Sequence, residues 1–229
     1  MRKLITLAVA LMISSICFAQ NDVTKFLGIP VDGTKSAMIQ KLKDKGYTYN
    51  SRKDCLEGEF NGRNVEIYVV TNNNKVYRIA VKDKYGSDKT QIKISFNKLC
   101  RQFESNKKYM EGAPIEDFII SDNEDISYEL IVHKKSYQAV FAQVPNSKEG
   151  LIEEMEEYAK TKVTKEEFDA LSESEKTQLY ELLQEECFNQ LKEKAKKKIV
   201  WFTISEEYGD YYIIIYYDNL NNQANGEDL

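Results

Sequence analysis

Alternating apolar and polar residues dominate the first half of the chain and predict an antiparallel meander. Three stretches with this period of two follow one another, at 56–60, 65–69 and 76–81. Asn61-Gly62 separates the first two, and this dipeptide is the strongest two-residue hairpin signal because it tolerates positive φ at both positions. The run Asn72-Asn73-Asn74 marks the second turn. The pattern therefore predicts three consecutive strands joined by tight turns.

Apolar residues recur at helical spacing in three further segments. Thr34 and Gly46 bound a predicted helix before the meander, and a second helix is predicted over about 88–104. Ser172 and Glu175 have capping-box spacing and mark the start of the longest helix, which ends in the lysines of 192–198. The second helix carries a one-sided stripe of Ile92, Phe96, Leu99, Cys100 and Phe103. The longest helix carries Leu179, Leu182, Leu183, Cys187 and Leu191 along its predicted buried face.

The second half of the chain combines strands with a long helical region. A strand pair is predicted at 126–133 and 137–144, and helices are predicted from 150 to 198. Within that helical region, Leu151, Ile152, Met155 and Tyr158 mark a first helix, and Thr164 and Glu167 have capping-box spacing. The segments 199–205 and 211–217 read as a closing hairpin across Tyr208-Gly209-Asp210. Both faces of 213–217 are apolar, which predicts a central strand covered on both sides.

The resulting order, α-βββ-α-ββ-αα-ββ, is typical of the α+β class, with an antiparallel meander and hairpins packed against helices. We expect one domain over 20–218, with a loose duplication whose joint falls near 110–125, although the residues themselves do not repeat. The polar segment 219–229 is expected to be a mobile tail.

The first 19 residues have the composition of a secretory signal peptide. Arg2 and Lys3 precede an apolar run over 4–12, and small residues lead to Ala19 before the chain turns polar at Gln20. We expect cleavage after Ala19 and export to the periplasm or the extracellular space. The apolar run is too short for a transmembrane helix, and no later stretch approaches the ~18 residues that such a helix needs. A retained anchor and a lipoprotein acylated at Cys17 are the less favoured alternatives, because the run is short and the residue before Cys17 is not small.

The net charge limits the classes of partner, and the cysteine content limits the kinds of site. The chain has a formal net charge of −5 at pH 7, and loss of its two N-terminal cations makes the mature protein more acidic. An acidic protein repels nucleic-acid phosphates, so nucleic acid is not an expected partner. Cleavage leaves Cys55, Cys100 and Cys187, an odd number with no metal or redox spacing. We interpret them as small buried residues, with a single disulfide as the alternative.

Two resemblances accompany these patterns. The segment FLGIPVDGTKSAMIQKLKDKGY with the later LEGEFNG, and the ending YDN with NGEDL, are similar to a group of uncharacterised secreted proteins from Bacteroidetes. More distantly, the helix-then-meander unit over 25–81 resembles the β-lactamase-inhibitor-protein-like fold shared with small outer-membrane assembly lipoproteins. The first resemblance implies an exported protein without known catalytic residues, and the second implies a binding protein more than an enzyme.

The sequence offers little catalytic chemistry. His133 is the only histidine and lies in no nucleophile motif, and the chain has no zinc spacing and no phosphate-binding glycine loop. We therefore predict no catalytic residues, no metal ligands and no cofactor. Acidic pairs are the exception, because two carboxyl groups about 5–9.5 Å apart can hydrolyse a glycoside. Glu57 with Glu59, and Glu206 with Glu207, are the candidate pairs. The acidic tail departs from a calcium loop, since Gln223 and Leu229 replace the required Gly and Glu.

Aromatic residues crowd the closing hairpin and supply the remaining signal. Tyr208, Tyr211, Tyr212 and Trp201 are the predicted binding residues, since such side chains combine an apolar ring with a polar tip. Core packing of a strand is the alternative interpretation. We therefore expect a secreted, non-catalytic binding protein whose partner is a protein or glycan of the cell envelope. The alternative is a small secreted hydrolase that acts through carboxylates, for example on glycans.

Overall fold

The computed structural model describes residues 23–144, 162–163 and 170–223. The strands are β1 Lys25–Phe26, β2 Ile29–Pro30, β3 Thr48–Asn50, β4 Cys55–Phe60, β5 Arg63–Asn72, β6 Lys75–Asp83, β7 Tyr109–Glu111, β8 Gln138–Gln143, β9 Lys198–Glu207 and β10 Asp210–Asn219. The helices are α1 Lys35–Asp44, α2 Lys89–Ser105, α3 Ile126–Ile131 and α4 Glu173–Ala195, with 3-10 turns at Ile115–Asp117 and Leu220–Asn222. The predicted α+β class is confirmed.

One eight-stranded antiparallel sheet organises the described residues, in the order β3-β4-β5-β6-β10-β9-β8-β7. Strands β3 to β6 form one meander and β7 to β10 form another, and the two join where β6 pairs with β10. Each meander follows a helix, α1 or α2, and α3 and α4 interrupt the second one. The same helix-then-four-strand succession therefore occurs twice in the chain. Strands β1 and β2 pair separately.

The hairpin turns lie where the sequence predicted them. Phe60 pairs directly with Arg63, so the first loop contains only Asn61 and Gly62. Both loop residues have positive φ, 52° and 74°, as a type I′ turn requires. The turn after β5 and the turn between β9 and β10 have the same two-residue form with positive φ. This turn type matches the right-handed twist of the flanking strands and fixes their register.

Helix caps also follow the sequence. The Thr34 side chain accepts a hydrogen bond from the Ala37 backbone at the start of α1. Asp88 caps α2 in the same way, and Ser172 forms the predicted capping box with Glu175 at the start of α4. These side chains satisfy backbone N–H groups that have no partner inside the helix, which explains why the helices begin at these positions.

The hydrophobic core lies between one face of the sheet and helices α1 and α2. Met38 and Leu42 of α1 are buried, and the predicted stripe of α2 is confirmed because all five of its residues are buried. The ring of Phe96 meets Phe202 of β9 edge-on, with centroids 5.1 Å apart. Phe103 stacks on Phe141 of β8 at 4.9 Å. Helix α2 is thereby fixed on the second meander.

The predicted strand at 126–133 is wrong, because residues Ile126–Ile131 form helix α3. The side chain of Asp125 accepts hydrogen bonds from the Ser127 and Tyr128 backbone and so begins a helix. Strand β8 pairs instead with β9 and with the short β7. The sequence pattern did not predict β7. The edge strand β3 also went unpredicted, since three residues are too few for a clear alternation.

Two further predictions for the second half of the chain, the buried stripe of α4 and the mobile tail, differ in part from the structure. Leu182 was expected in the buried stripe of α4, but its side chain is 54% exposed. The start of the expected mobile tail is packed, because the Asn219 side chain donates to the Val31 carbonyl oxygen and that of Asn222 donates to Val76. The signal peptide, the helix expected near 151–158, the capping box at 164–167 and the tail beyond 223 lie outside the described residues. None of the described helices is both long and apolar enough to cross a membrane.

Candidate functional site

The second face of the sheet, opposite α1 and α2, carries a half-buried aromatic and ionic surface. Strand β10 is central, as predicted, and its alternation buries Ile213 and Ile215 in the core. The side chains of Tyr212, Ile214 and Tyr216 on the second face are half-buried, so this face of the strand is less covered than the core face. We call this surface the aromatic face, and it consists of Tyr68, Arg78, Lys82, Trp201, Tyr212, Ile214, Tyr216 and Asp218.

An aromatic stack lies at the centre of the aromatic face. Trp201 and Tyr216 are direct cross-strand partners, and their rings stack with centroids 4.2 Å apart and planes 25° apart. The Arg78 guanidinium lies 4.7 Å from the Tyr216 ring centroid and 5.5 Å from that of Trp201. Cation–π contact and ring stacking therefore hold the three side chains as one unit.

A buried carboxylate fixes this stack from below. Asp218 is 3% exposed and binds Arg78 in a bidentate pair, with Nε–Oδ1 at 2.6 Å and Nη2–Oδ2 at 2.7 Å. The Trp201 indole Nε1 donates to the same Oδ2 at 2.9 Å. Planar, charge-assisted pairs of this kind are geometrically specific. The orientations of the guanidinium and the indole are thus set before any partner arrives.

Ion pairs lie beside the stack, mainly towards β6, β5 and β4. Lys82 binds Glu207 at 2.6 Å, and its Nζ lies 4.6 Å from the Tyr212 ring centroid. Two further lysine–carboxylate pairs, each at 2.5 Å, lie towards β4: Lys53 with Glu66, and Lys84 with Glu57. Each of these three lysines is matched by a carboxylate, so the three pairs themselves add little net charge to the aromatic face.

The predicted binding residues divide between different places in the fold. Trp201 and Tyr212 lie on the aromatic face. Tyr211 is 5% exposed in the core, where its hydroxyl hydrogen-bonds the Ser127 hydroxyl at 2.7 Å. Tyr208 is fully exposed in the β9–β10 turn with a φ of 55°. Arg78 was missed, because its place beside Trp201 depends on the pairing of β6 with β10.

The one described group with metal-ligand geometry also lies on this face of the sheet. Ligand atoms of Cys55, Glu57 and Glu66 lie within 4.8 Å of one another. Both carboxylates are already bonded by lysines, and burial raises the pKa of the Cys55 thiol. A metal would have to displace two ammonium groups and remove a thiol proton. The arrangement therefore favours an ion-paired cluster.

Chelation is accordingly expected to leave thermal unfolding unchanged. EDTA has no ion to remove if Lys53 and Lys84 occupy the carboxylates of this cluster. Differential scanning calorimetry with and without EDTA measures the effect. A fall of the Tm by several degrees, restored by Zn²⁺ and absent in Glu57→Gln, would instead assign a metal to the cluster.

The described thiols and the histidine offer no activated nucleophile. Cys55 and Cys100 are buried free cysteines, as predicted for small core residues, and burial raises the pKa of Cys100 to about 12. The Cys187 side chain lies outside the described part. His133 follows α3 on the surface, where its Nδ1 lies 2.9 Å from a Glu129 oxygen and its side chain is 54% exposed. Neither thiol contacts this imidazole.

The chain matches no protein-family model, no curated protein and no solved structure. The arrangement of the described side chains is therefore the remaining indication of function. That arrangement presents a preorganised Trp–Tyr–Arg stack on a nearly neutral sheet face.

Proposed function

We propose that this chain is a secreted, non-catalytic binding protein that contacts a protein of the cell envelope through the aromatic face. The observation that carries the proposal is the stack of Trp201, Tyr216 and Arg78, held by buried Asp218. Tryptophan, tyrosine and arginine are the residue types that contribute most at protein interfaces. Their fixed orientation lowers the entropy lost when a partner binds. The predicted signal peptide supports the location in the envelope.

The surroundings of the stack support a protein partner. Protein interfaces have an apolar or aromatic centre and a polar rim, and charged residues are depleted from the centre. Here Ile214 and the stacked rings form an apolar and aromatic centre, and the ion pairs of Lys82 and Lys84 lie beside it, towards β4. The matched charges of this rim provide hydrogen-bonding groups without attracting nucleic acid or an anionic lipid surface.

A glycan partner fits the stack less well. Sugars pack their apolar face on the open face of an aromatic ring. Trp201 and Tyr216 each cover one face of the other's ring, and the Arg78 guanidinium lies close to both. Each ring therefore offers a sugar at most one open face.

Hydrolysis by a carboxylate pair also has weak support. The register of β4 and β5 brings together Glu57 and Glu66, rather than Glu57 and Glu59. Hydrogen bonds from Lys84 and Asn50 lower the pKa of Glu57. Burial alone would raise the pKa of Glu66, but hydrogen bonds from Lys53 and Tyr68 outweigh it and lower the pKa. Both groups are ionised at neutral pH, whereas a glycosidase needs one of its pair protonated.

A charge at the centre of the aromatic face should weaken partner binding. The partner is captured from native envelope extracts, purified, and titrated calorimetrically against wild type, Ile214→Glu and Ile131→Glu. Ile214→Glu is expected to weaken binding by about tenfold or more, since it places a charge at an interface centre and its cross-strand neighbour Lys82 is already paired with Glu207. Ile131→Glu is the matched control, because that isoleucine is 53% exposed on α3. It should bind as wild type does.

Three results would contradict the proposal. Equal affinities for wild type and Ile214→Glu would exclude the aromatic face, and loss of binding only in Ile131→Glu would place the contact at α3. Turnover of glycoside, ester, phosphate or peptide substrates that disappears in Glu57→Gln or Glu206→Gln would show a hydrolase. Thermal unfolding of each variant separates loss of binding from loss of folding.

A further inference from the structure

A cavity of about 470 Å³ lies on the helix side of the sheet, away from the aromatic face, between the β4–β5 turn and α2. Its volume falls within the range of small-molecule sites, roughly 300–1,000 Å³. Buried apolar side chains form its floor: Val65, Val81, Leu99, Ile213 and Ile215. More exposed polar side chains form its rim: Asn61, Arg63, Gln91, Ser95, Lys98 and Gln102.

A buried carboxylate in this cavity has an unused acceptor. The side chain of Asp83 is 8% exposed, and its Oδ2 accepts a hydrogen bond from the Ile213 backbone N–H at 2.9 Å. The same oxygen forms an ion pair with Arg63 Nη2 at 2.7 Å. Its Oδ1 accepts no hydrogen bond from the residues that the structure describes. Buried polar atoms are almost always paired with protein or with water, so Oδ1 is available to a donor on a ligand that enters the cavity. Burial also raises the pKa of this carboxyl, although the Ile213 hydrogen bond and the Arg63 charge oppose the shift.

The side chains around Asp83 determine which kind of donor group fits Oδ1. An ammonium group could donate to Oδ1, but Arg63 and Lys98 line the same cavity and would repel it. A hydroxyl group can donate to Oδ1 and at the same time accept from the Arg63 guanidinium. Asn61 Nδ2 donates to Gln102 Oε1 at 2.9 Å, and among the described residues the Asn61 amide oxygen and the Gln102 amide nitrogen have no other partner. The oxygen can therefore accept from a ligand, and the nitrogen can donate to it. A neutral ligand with several hydroxyl groups satisfies all of these side chains.

We propose that this cavity binds a neutral, hydroxyl-rich small molecule, such as the end of a saccharide. One hydroxyl bonds Asp83 and Arg63 together, further hydroxyls bond the rim amides, and the C–H face of the ring packs on Val81 and Ile215. This site is independent of the protein contact proposed above, because the two lie on opposite faces of the sheet.

Titration with sugars tests the site directly. The ¹⁵N-labelled protein is titrated with D-glucose, N-acetyl-D-glucosamine and methyl β-D-glucoside, and L-leucine serves as a zwitterionic comparison. At least one sugar should give saturable shifts at Ile213, Gln91 and their neighbours. Asp83→Asn should weaken that sugar by about tenfold, equal to about 1.4 kcal/mol. The substitution preserves the shape of the side chain but removes its charge.

A second variant keeps the test independent of Asp83. Ser95→Tyr fills the cavity from a half-buried position on α2 and should abolish the shifts, whereas Ser174→Tyr at an exposed position of α4 should not. The proposal is overturned if no sugar gives saturable shifts, if L-leucine binds instead, or if Asp83→Asn and Ser95→Tyr both bind sugar as wild type does. Loss of protein-partner binding in Ile214→Glu bears only on the aromatic face.

Discussion

Replacing Phe96 by alanine is expected to lower the free energy of unfolding by about 3–5 kcal/mol. The Phe96 side chain is fully buried, and its ring meets that of Phe202 at 5.1 Å between α2 and β9. Protein interiors are packed like organic crystals, so the surroundings can close only part of the space that the ring leaves. Urea denaturation monitored by circular dichroism measures the loss.

Ile94 provides the matched control on the same helix. Its side chain is 56% exposed, so Ile94→Ala is expected to change the free energy of unfolding by no more than about 0.5 kcal/mol. Equal unfolding of Phe96→Ala and wild type would show that the stripe of α2 does not face the core. A large loss in Ile94→Ala would mean that α2 packs through its other face.

Features that depend on a few adjacent residues could be predicted from the sequence. The turn at Asn61-Gly62, the caps at Thr34 and Ser172 and the apolar stripe of α2 are such features, and all four are confirmed. In each, the deciding contact links residues at most four positions apart along the chain, or the pattern repeats over several turns. The same local logic explains why the fold class was predictable.

The missed elements are short or are decided by a single side chain. Strands β3 and β7 have three residues each, which is too short for periodicity, and their neighbours in the sheet define them. Helix α3 has six residues, of which only Ile126 is buried, so its sequence also fits a strand. The segment forms a helix because the Asp125 side chain accepts a hydrogen bond from the Ser127 backbone N–H at its start.

The aromatic face could be predicted only in part. Aromatic enrichment of the closing hairpin pointed to Trp201 and Tyr212, but alternation alone did not show that Tyr211 faces the core. Arg78 lies 140 positions from Asp218 along the chain, and no local pattern connects them. Their contact follows from the pairing of β6 with β10, which joins the two meanders. The periodicity of the sequence therefore cannot predict a site formed where two meanders pair.

Removing the Asp218 carboxylate tests that joint, and Asp218→Ala is expected to lower the free energy of unfolding by about 3–5 kcal/mol. The change leaves the Arg78 guanidinium without its bidentate partner and the Trp201 indole without its acceptor, and the Asp218 side chain is only 4% exposed. Desolvated charges that lose their partner cost far more than exposed ones.

Glu207→Ala is the comparison, because it also removes one carboxylate from a lysine or arginine on β6. The Glu207 side chain is 42% exposed, and solvent screens its pair with Lys82, so the loss should be about 0–1 kcal/mol. Urea denaturation of both variants, with Trp201 fluorescence as the probe, measures the difference. If Asp218→Ala lowered the free energy of unfolding no more than Glu207→Ala does, solvent would already stabilise the Arg78 charge. The stack would then not be fixed before a partner binds. A large difference, accompanied by a shift of Trp201 emission in native Asp218→Ala, would tie the stability of the sheet joint to the preorganisation of the aromatic face.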